Sequence, residues 1–294
     1  MNILTYNKKI TEKAYAKINL YLDVTKKRND GFHDIKSIMQ TVSLCDEITV
    51  SITDKDDDVL TCDVKEIPTD KSNLALKAVS LFKDAVGLSF GTEIHIKKEI
   101  PMAAGLAGGS TDAAAVLRIL NRLTGAELPT EKLLEIAARI GADVPFCFLG
   151  GTRLCEGKGE LMKALPDCPR LHCVVAVKGE GVSTPWAYGE LDALYGDFSE
   201  DRDHGRFSAL SNALGQGDTN GIINNLYNIF ESVSEKERPE IKKLKAAIMG
   251  SGAKTALMSG SGPSVFGIFE DEFSAKKAEK ALREYGAAAY YCFT

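Results

Sequence analysis

The chain has 294 residues, enough for two domains or one large one, and its 44% hydrophobic and 26% charged residues are typical of a globular protein. A net charge of −5 without a basic stretch argues against nucleic-acid binding, and seven scattered cysteines without a CxxC pair favour reduced thiols over a disulfide framework or a zinc site. No apolar run is long enough to cross a membrane and no secretory signal is visible, so we expect a cytoplasmic protein that does not bind membranes.

The first third of the chain has the patterns of strands and one helix. Apolar and polar residues alternate over Ala14–Val24, and a period of two predicts a half-buried strand. The loop KKRNDGFH follows, in which Asp30 and Gly31 are a strong turn signal. Two strands and a helix capped by Ser72 or Asn73 are then predicted over Ile35–Leu44, Glu47–Ile52 and Ser72–Val86.

The segment Pro101–Ala115, PMAAGLAGGSTDAAA, is the most informative part of the chain. A predicted strand, Glu93–Ile100, leads into it and a predicted helix, Asp112–Leu123, leads out. Glycines let the backbone approach a ligand closely, and the first N–H groups of a helix attract negative charge. The segment is therefore a candidate phosphate-binding loop, with an ordinary glycine-rich turn as the alternative. Ser110 or Thr111 could cap the helix, and neither the Walker nor the dinucleotide-binding spacing is present.

A helix capped by Thr130 is predicted next, with Gly141 at its end and an extended exit at Val144-Pro145. Asp143 follows this helix end, where partial negative charge gives a carboxylate no stabilisation. The residue is therefore either a turn former or a base with a separate function.

Strands and helices are mixed in the second half. Predicted strands cover Thr152–Glu156, Leu171–Lys178, Thr255–Met258, Val265–Phe269 and Ala288–Phe293. Predicted helices cover Pro185–Leu194, Phe207–Leu214, Thr219–Val233, Pro239–Met249 and Phe273–Tyr285. The change in pattern predicts two α+β domains, residues 1–160 and 161–294, with the last strand free to return to the first domain.

Five ordered motifs together resemble one family of small-molecule kinases. They are AKINLYLDV from Ala16, RNDGFH from Arg28, AGLAGGSTDAA from Ala104, GADVPF from Gly141 and GSGPSVF from Gly260. The chain resembles the GHMP kinases over nearly its whole length. Within that family the chain more closely resembles members that phosphorylate the 2-hydroxyl of 4-(cytidine 5'-diphospho)-2-C-methyl-D-erythritol in the non-mevalonate isoprenoid pathway. The resemblance implies a nucleotide-binding N-terminal domain like ribosomal protein S5 domain 2 and a ferredoxin-like C-terminal domain.

The resemblance implies that Lys17 and Asp143 are catalytic, although Lys17 taken alone could be a solvated surface lysine. Asp143 would bind the substrate hydroxyl and accept its proton, while Lys17 orients Asp143 and stabilises charge on the transferred phosphoryl group. Mg²⁺ would bridge phosphate oxygens; Asp112 is a weak candidate ligand, and Ser110 or Thr111 could contact the metal or a phosphate. ATP is expected to contact Pro101, Met102, Ala103, Ala104, Gly105, Leu106, Ala107, Gly108, Gly109, Ser110 and Thr111.

Substrate recognition is implied for a different set of residues. His33 would recognise the cytosine base, and Asn19 would contact the methylerythritol part. Phe32 and a residue of the VSTPWAY segment would stack on the cytosine, with Tyr188 as the best match and Trp186 as the alternative. Core packing is the competing interpretation for both aromatic residues.

Two residues depart from the common family pattern, and one motif has two interpretations. Phe32 replaces a frequent tyrosine, and Ala107 replaces a frequent glycine, which is tolerated if the φ of Ala107 is negative. The turn SGSGPSVF is either a structural hairpin or a third family segment, in which Gly260–Gly262 approach the nucleotide phosphates or the loop that holds them.

Other functions remain as alternatives. A sibling kinase for mevalonate, homoserine or a sugar would lack the NDGFH segment, and an inactive binding protein would lack the catalytic pair or the loop glycines. An RNA-binding module is disfavoured because the chain has no basic surface signature. We expect a small-molecule substrate and a monomer or homodimer.

Overall fold

The computed structural model describes residues 8–198, 200 and 202–294. Eleven strands lie in these residues: β1 (Lys9–Lys27), β2 (His33–Thr53), β3 (Asp58–Cys62), β4 (Gly91–Lys97), β5 (Thr152–Gly157), β6 (Leu161–Ala164), β7 (His172–Val177), β8 (Tyr227–Asn228), β9 (Thr255–Met258), β10 (Val265–Phe269) and β11 (Ala288–Phe293). The last three strands have the predicted bounds.

Ten helices lie in the same residues: α1 (Leu74–Val86), α2 (Gly108–Thr124), α3 (Thr130–Ile140), α4 (Val144–Leu149), α5 (Thr184–Tyr195), α6 (Arg206–Gln216), α7 (Thr219–Asn224), α8 (Glu231–Glu237), α9 (Pro239–Gly250) and α10 (Glu272–Glu284). The predicted α+β class is confirmed. Among the described residues, no helix combines the length and the apolar character needed to cross a membrane.

The first compact unit contains the residues up to Ala16, Cys45–Met102 and Ala107–Leu149. In it, β3 runs parallel to β4, and β4 pairs antiparallel with residues 47–53 of β2. Helix α2 packs against α1 and is buried on all sides from Thr111 to Leu117. Its alanine-rich sequence suits this position, because small side chains let neighbouring elements approach closely.

The second compact unit contains Lys17–Leu44, Ala103–Leu106 and Gly150–Thr294. Its four-stranded antiparallel sheet has the order β11-β7-β10-β9, with α9 before β9 and α10 between β10 and β11. Helices α9 and α10 pack on this sheet, which confirms the βαββαβ order of a ferredoxin-like domain, here with α5–α8 inserted in the first crossover.

The two units interleave along the chain, and the predicted boundary at residue 160 stays a prediction. Within the second unit, β5 pairs with residues 35–40 of β2, and β8 runs parallel to residues 21–22 of β1. The last strand pairs with β7 throughout, and the Phe293 N–H donates to the Ser43 hydroxyl at 2.9 Å.

Strand β1 is not half-buried as its alternation predicts. All residues of Ala16–Val24 are buried, including the polar or amphipathic side chains of Lys17, Asn19, Tyr21 and Asp23. Helix α6 and strand β8 each place an aromatic ring about 5 Å from the Tyr21 ring, measured between centroids as 5.3 and 5.4 Å. The polar side of β1 therefore supplies buried side chains rather than a solvent-exposed surface.

The N-caps of α1 and α3 compare differently with the sequence-based predictions. Asn73 caps α1 as predicted, since its Oδ1 accepts from the Ala75 N–H at 2.9 Å. The predicted cap at Thr130 is wrong, because Pro129 occupies the N-cap position of α3 and makes no side-chain hydrogen bond. A proline suits a helix start, where its missing N–H costs nothing.

The predicted single helix over Thr219–Val233 is wrong: the chain forms α7, β8 and α8 instead. Tyr227 pairs with β1, and the side chain of Asn228 donates to Met258 O at 2.7 Å and Gly260 O at 2.8 Å. These long-range hydrogen bonds outweigh the weak local preference for a continuous helix.

Candidate active site

The glycine-rich loop has left-handed backbone at three alternate residues. The φ angles are 48° at Ala103, 74° at Gly105 and 59° at Ala107. Gly105 adopts this conformation without steric cost, whereas an alanine there loses about 1–2 kcal/mol. Ala107 thus does not have the negative φ under which its methyl group is tolerated without strain; it is the N-cap of α2, where the chain turns from the loop into the helix.

The second glycine–serine turn contacts this loop within the second unit. A Cβ on Gly105 would lie 2.2 Å from Ser259 O, and a Cβ on Gly260 would lie 3.1 Å from the Gly105 Cα. Ser259 Oγ donates to Gly105 O at 3.1 Å, and Ser264 Oγ donates to Ala104 O. The turn thus joins β9 and β10 as a hairpin and also holds the loop, as the second interpretation of SGSGPSVF expects.

Lys17 and Asn19 link the first motif to the other two. The Lys17 N–H donates to Leu106 O at 3.2 Å, and its Nζ donates to Asn19 Oδ1 at 2.8 Å. The same Oδ1 accepts from the Gly260 N–H at 3.0 Å, and Asn19 Nδ2 donates to Ser37 Oγ at 2.9 Å. Both oxygen lone pairs of Asn19 are therefore used, and one amide hydrogen has no partner among the described residues.

The hydroxyl groups of Ser110 and Thr111, both in the first turn of α2, differ in burial and hydrogen bonding. Neither Ser110 nor Thr111 caps the helix, so that expectation is wrong. Thr111 is buried, and its Oγ1 donates to Tyr15 O at 2.8 Å. Ser110 is half-buried, and its hydroxyl has no hydrogen bond to another residue in the described part of the chain. Ser110 is therefore the hydroxyl that can contact a ligand.

Three charged side chains, Lys98, Asp46 and Asp112, form a buried group that we call the Lys98 cluster. Lys98 Nζ donates to Asp46 Oδ2, and to Asp112 Oδ2 at 2.8 Å; the three side chains are 5%, 0% and 5% exposed. Asp46 Oδ1 also accepts from the backbone N–H groups of Glu99 at 2.7 Å and Ile100 at 2.8 Å. The cluster thus holds the residues before the loop and the first turn of α2, all within the first unit.

The charges of this cluster shift its pKa values. Burial, together with the charge of Asp46, raises the pKa of Asp112 well above its ordinary value despite the neighbouring Lys98. Burial alone would lower the pKa of Lys98, but the two carboxylates raise it. Asp112 Oδ1 is buried and has no hydrogen-bond partner in the part of the chain that the structure describes. Asp112 Oδ2 is thus bound to Lys98, and its role as a weak metal ligand stays a prediction.

Asp143 lies directly before α4, so the expected extended exit at Val144-Pro145 is wrong. The Asp143 carbonyl accepts from the Cys147 N–H at 3.0 Å, which starts the helix, and Pro145 fits the first turn because its N–H is not needed there. The carboxylate therefore lies at a helix N-terminus, where partial positive charge favours it. Asp143 and Lys17 belong to different units, and their pairing stays a prediction.

A second group of site residues gathers around His33 in the second unit. His33 Nε2 lies 2.7 Å from Asp192 Oδ1, and the Tyr188 ring stacks on the imidazole with centroids 4.5 Å apart. Lys27 Nζ contacts the other Asp192 oxygen at 2.6 Å, and Phe198 meets the imidazole edge-on at 5.9 Å. Asp192 was not predicted, although its position four residues after Tyr188 on α5 puts both on one helix face.

The two aromatic candidates of α5, Trp186 and Tyr188, lie on different sides of the helix. Trp186 is two residues from Tyr188, so it points to another side of the helix and lines a cavity of about 330 Å³ with Val233 of α8. Phe32 is 59% exposed, with Lys158 Nζ 4.8 Å from its ring centroid. His33 is therefore brought together with Tyr188, whereas Trp186 lines the separate cavity and Phe32 is largely exposed to solvent.

The donor set suits a metal ion that is held mainly by phosphates. Among the described residues, no group of three or more His, Cys, Asp or Glu side chains could bind a metal. Mg²⁺ in phosphoryl-transfer enzymes takes substrate phosphate oxygens and few protein ligands. The Ser110 hydroxyl in the first turn of α2, which has no partner among the described residues, fits such a single protein ligand.

Comparisons with known proteins agree with the five motifs. The GHMP kinases N terminal domain matches residues 73–151, and the GHMP kinases C terminal domain matches residues 199–288. Proteins named 4-diphosphocytidyl-2-C-methyl-D-erythritol kinase are similar to this chain. The one from Caldicellulosiruptor saccharolyticus is 44% identical over 93% of this chain and 92% of its own length, and the one from Lachnoclostridium phytofermentans is 41% identical over 96% and 94%.

A solved structure gives the same result for the fold. The crystal structure of a 4-(cytidine 5'-diphospho)-2C-methyl-D-erythritol kinase matches with a TM-score of 0.81 and 33% identity, over 97% of this chain and 98% of that one. Matched domains, close relatives and the crystal structure all lead to one family. The chain belongs to the GHMP kinases, among the relatives named 4-diphosphocytidyl-2-C-methyl-D-erythritol kinase.

Proposed function

We propose that the protein transfers the γ-phosphoryl group of ATP to the 2-hydroxyl of 4-(cytidine 5'-diphospho)-2-C-methyl-D-erythritol, giving the 2-phosphate and ADP in the non-mevalonate isoprenoid pathway. The relatives' names support this substrate. The main structural support is the junction in which Leu106 accepts from Lys17 while Gly105 packs against Ser259 and Gly260, because it unites three kinase motifs. Mevalonate, homoserine and sugar acceptors are not favoured.

Phosphoryl transfer depends mainly on positioning and charge neutralisation. Loop residues 101–111 hold ATP, with backbone N–H groups and the N-terminus of α2 directed at the phosphates. Ser110 would hold Mg²⁺, which would supply neutralisation of phosphate charge. Asp143 accepts the proton of the substrate hydroxyl, and Lys17 stabilises negative charge on the transferred group.

Substrate recognition uses the His33 group and the remaining amide hydrogen of Asn19. His33 hydrogen-bonds the cytosine edge, while Tyr188 and Phe32 supply aromatic rings for stacking on the base. Asn19 donates to the methylerythritol part. The exposed ring of Phe32 and the contact between Tyr188 and His33 support these assignments.

We place the enzyme in the cytoplasm, acting on a small molecule as a monomer or homodimer without a nucleic-acid or membrane partner. The absence of a basic stretch and the net charge of −5 support the exclusion of nucleic acid.

An assay of ADP release with four acceptors tests the proposal: the cytidine-diphosphate substrate, mevalonate, homoserine and galactose. Only the first should be turned over rapidly, and turnover of mevalonate alone would contradict the substrate. Lys17→Ala and Asp143→Asn should each lower kcat at least about a hundredfold, because each removes a group that acts in the transition state. The exposed residues Lys13 and Asp84 provide controls as Lys13→Ala and Asp84→Asn, which should keep kcat.

A further inference from the structure

His33 is held in one orientation by the residues packed around it. Its side chain is 6% exposed, and its Nε2 lies 2.7 Å from Asp192 Oδ1. Tyr188 stacks on one face at an interplanar angle of 19°, and Phe198 meets the ring edge-on at 81°. Together these contacts hold the imidazole plane and keep Nε2 directed at Asp192.

The partner at Nε2 decides which ring nitrogen carries the proton. Partial burial raises the pKa of Asp192, but hydrogen bonds from Lys27 and His33 lower it to below its usual value. An ionised carboxylate only accepts hydrogen bonds, so a neutral His33 beside Asp192 carries its proton on Nε2 and leaves Nδ1 as an acceptor. Nδ1 has no hydrogen bond to any residue that the structure describes.

The edge of a pyrimidine base distinguishes the two tautomers. Cytosine has an amino group at position 4, which donates, whereas uracil has an oxygen at position 4, which accepts. Building on the proposed function, we infer that Asp192 is a positioning residue that holds His33 in the tautomer whose Nδ1 accepts from the cytosine amino group and repels the uracil oxygen. The preference for a cytidine over a uridine diphosphate thus depends on Asp192, which need not touch the base.

The tautomer can be measured in the free protein, independently of any activity. The chain has four histidines, and His33→Gln identifies the His33 signals in the ¹⁵N spectrum of the labelled imidazoles at pH 8.5. We expect a protonated Nε2 and an unprotonated Nδ1 in the wild type. Asp192→Asn should mix the two tautomers, because an amide can donate as well as accept. A protonated Nδ1 in the wild type would overturn the inference.

Base preference is measured by calorimetric titration with CDP and with UDP, while a non-hydrolysable ATP analogue saturates the loop. The ratio of the UDP Kd to the CDP Kd should fall at least about tenfold in Asp192→Asn, equivalent to one hydrogen bond of about 1.4 kcal/mol. Glu190→Gln is the matched control, since it removes the same charge from an exposed position on α5 and should keep the ratio within about twofold.

The outcomes separate the two proposals. A wild-type protein that does not bind CDP contradicts the proposed function. A wild-type protein that prefers CDP, together with an Asp192→Asn variant of the same preference, contradicts the role of Asp192 and leaves the proposed function intact. A uniform loss of affinity for both nucleotides also contradicts it, since that result indicates a structural role.

Discussion

Replacing Lys98 with methionine tests whether the Lys98 cluster holds the flanks of the glycine-rich loop. Methionine keeps most of the length of the side chain and removes the charge between two carboxylates that are 0% and 5% exposed. Loss of one partner of a buried ion pair typically costs about 3–5 kcal/mol of unfolding free energy. Asp46 keeps two backbone donors, and Asp112 can take up a proton, so we expect about 3 kcal/mol, the lower end of that range.

The double variant Lys98→Met/Asp112→Asn makes the test specific. Asparagine removes a carboxyl that has lost its cation, so the double variant should be at least about 1 kcal/mol more stable than the sum of the single effects predicts. Urea unfolding followed by far-UV circular dichroism measures the free energies. Because a chain with two compact units can unfold in steps, hydrogen exchange at the Glu99 and Ile100 amides gives a local measure.

The neighbouring Lys97 supplies the control, since it is exposed and Lys97→Met should change the unfolding free energy by less than about 0.5 kcal/mol. If Lys98→Met is as mild as this control, or if the effects of Lys98→Met and Asp112→Asn simply add, the cluster does not stabilise the loop flanks.

Two further predictions concern pH and backbone strain. Burial raises the pKa of Asp112, so folding favours its protonated form, and the wild type loses stability as the pH rises through the folded-state pKa. The unfolding free energy of Asp112→Asn minus that of the wild type should therefore increase by at least about 1.4 kcal/mol between pH 5 and pH 8.5, the equivalent of one pKa unit. Urea unfolding that gives the same difference at both pH values would contradict this prediction. Ala107→Gly should stabilise the protein by about 0.5 kcal/mol, because relief of the left-handed φ of 59° is partly offset by glycine's freedom in the unfolded chain. Ala107→Val should destabilise it, and a lower urea midpoint for the glycine variant would contradict this account.

Features that depend on neighbours in the chain could be predicted from sequence. Strands β9, β10 and β11 have their predicted bounds, and Gly31 has the positive φ of 83° that the Asp30-Gly31 turn signal implies. The glycine-rich loop before α2 is equally local, since glycine spacing alone marks where the backbone turns and approaches a ligand. The helix break after Asn224 was missed because its cause lies in other strands.

The kinase motifs, the α+β class and the candidate residues for phosphoryl transfer could be recognised from the sequence alone, because each depends on residues that are close together in the chain. Only the tertiary structure decided that Asn19 binds Gly260, 241 residues away, and that Asp192 binds His33, 159 residues away. It also decided that the polar side of β1 is buried and that Ala107 has left-handed backbone. No periodicity or spacing can reveal such contacts, because a hydrogen bond depends on distance in space and its partners here belong to separate elements.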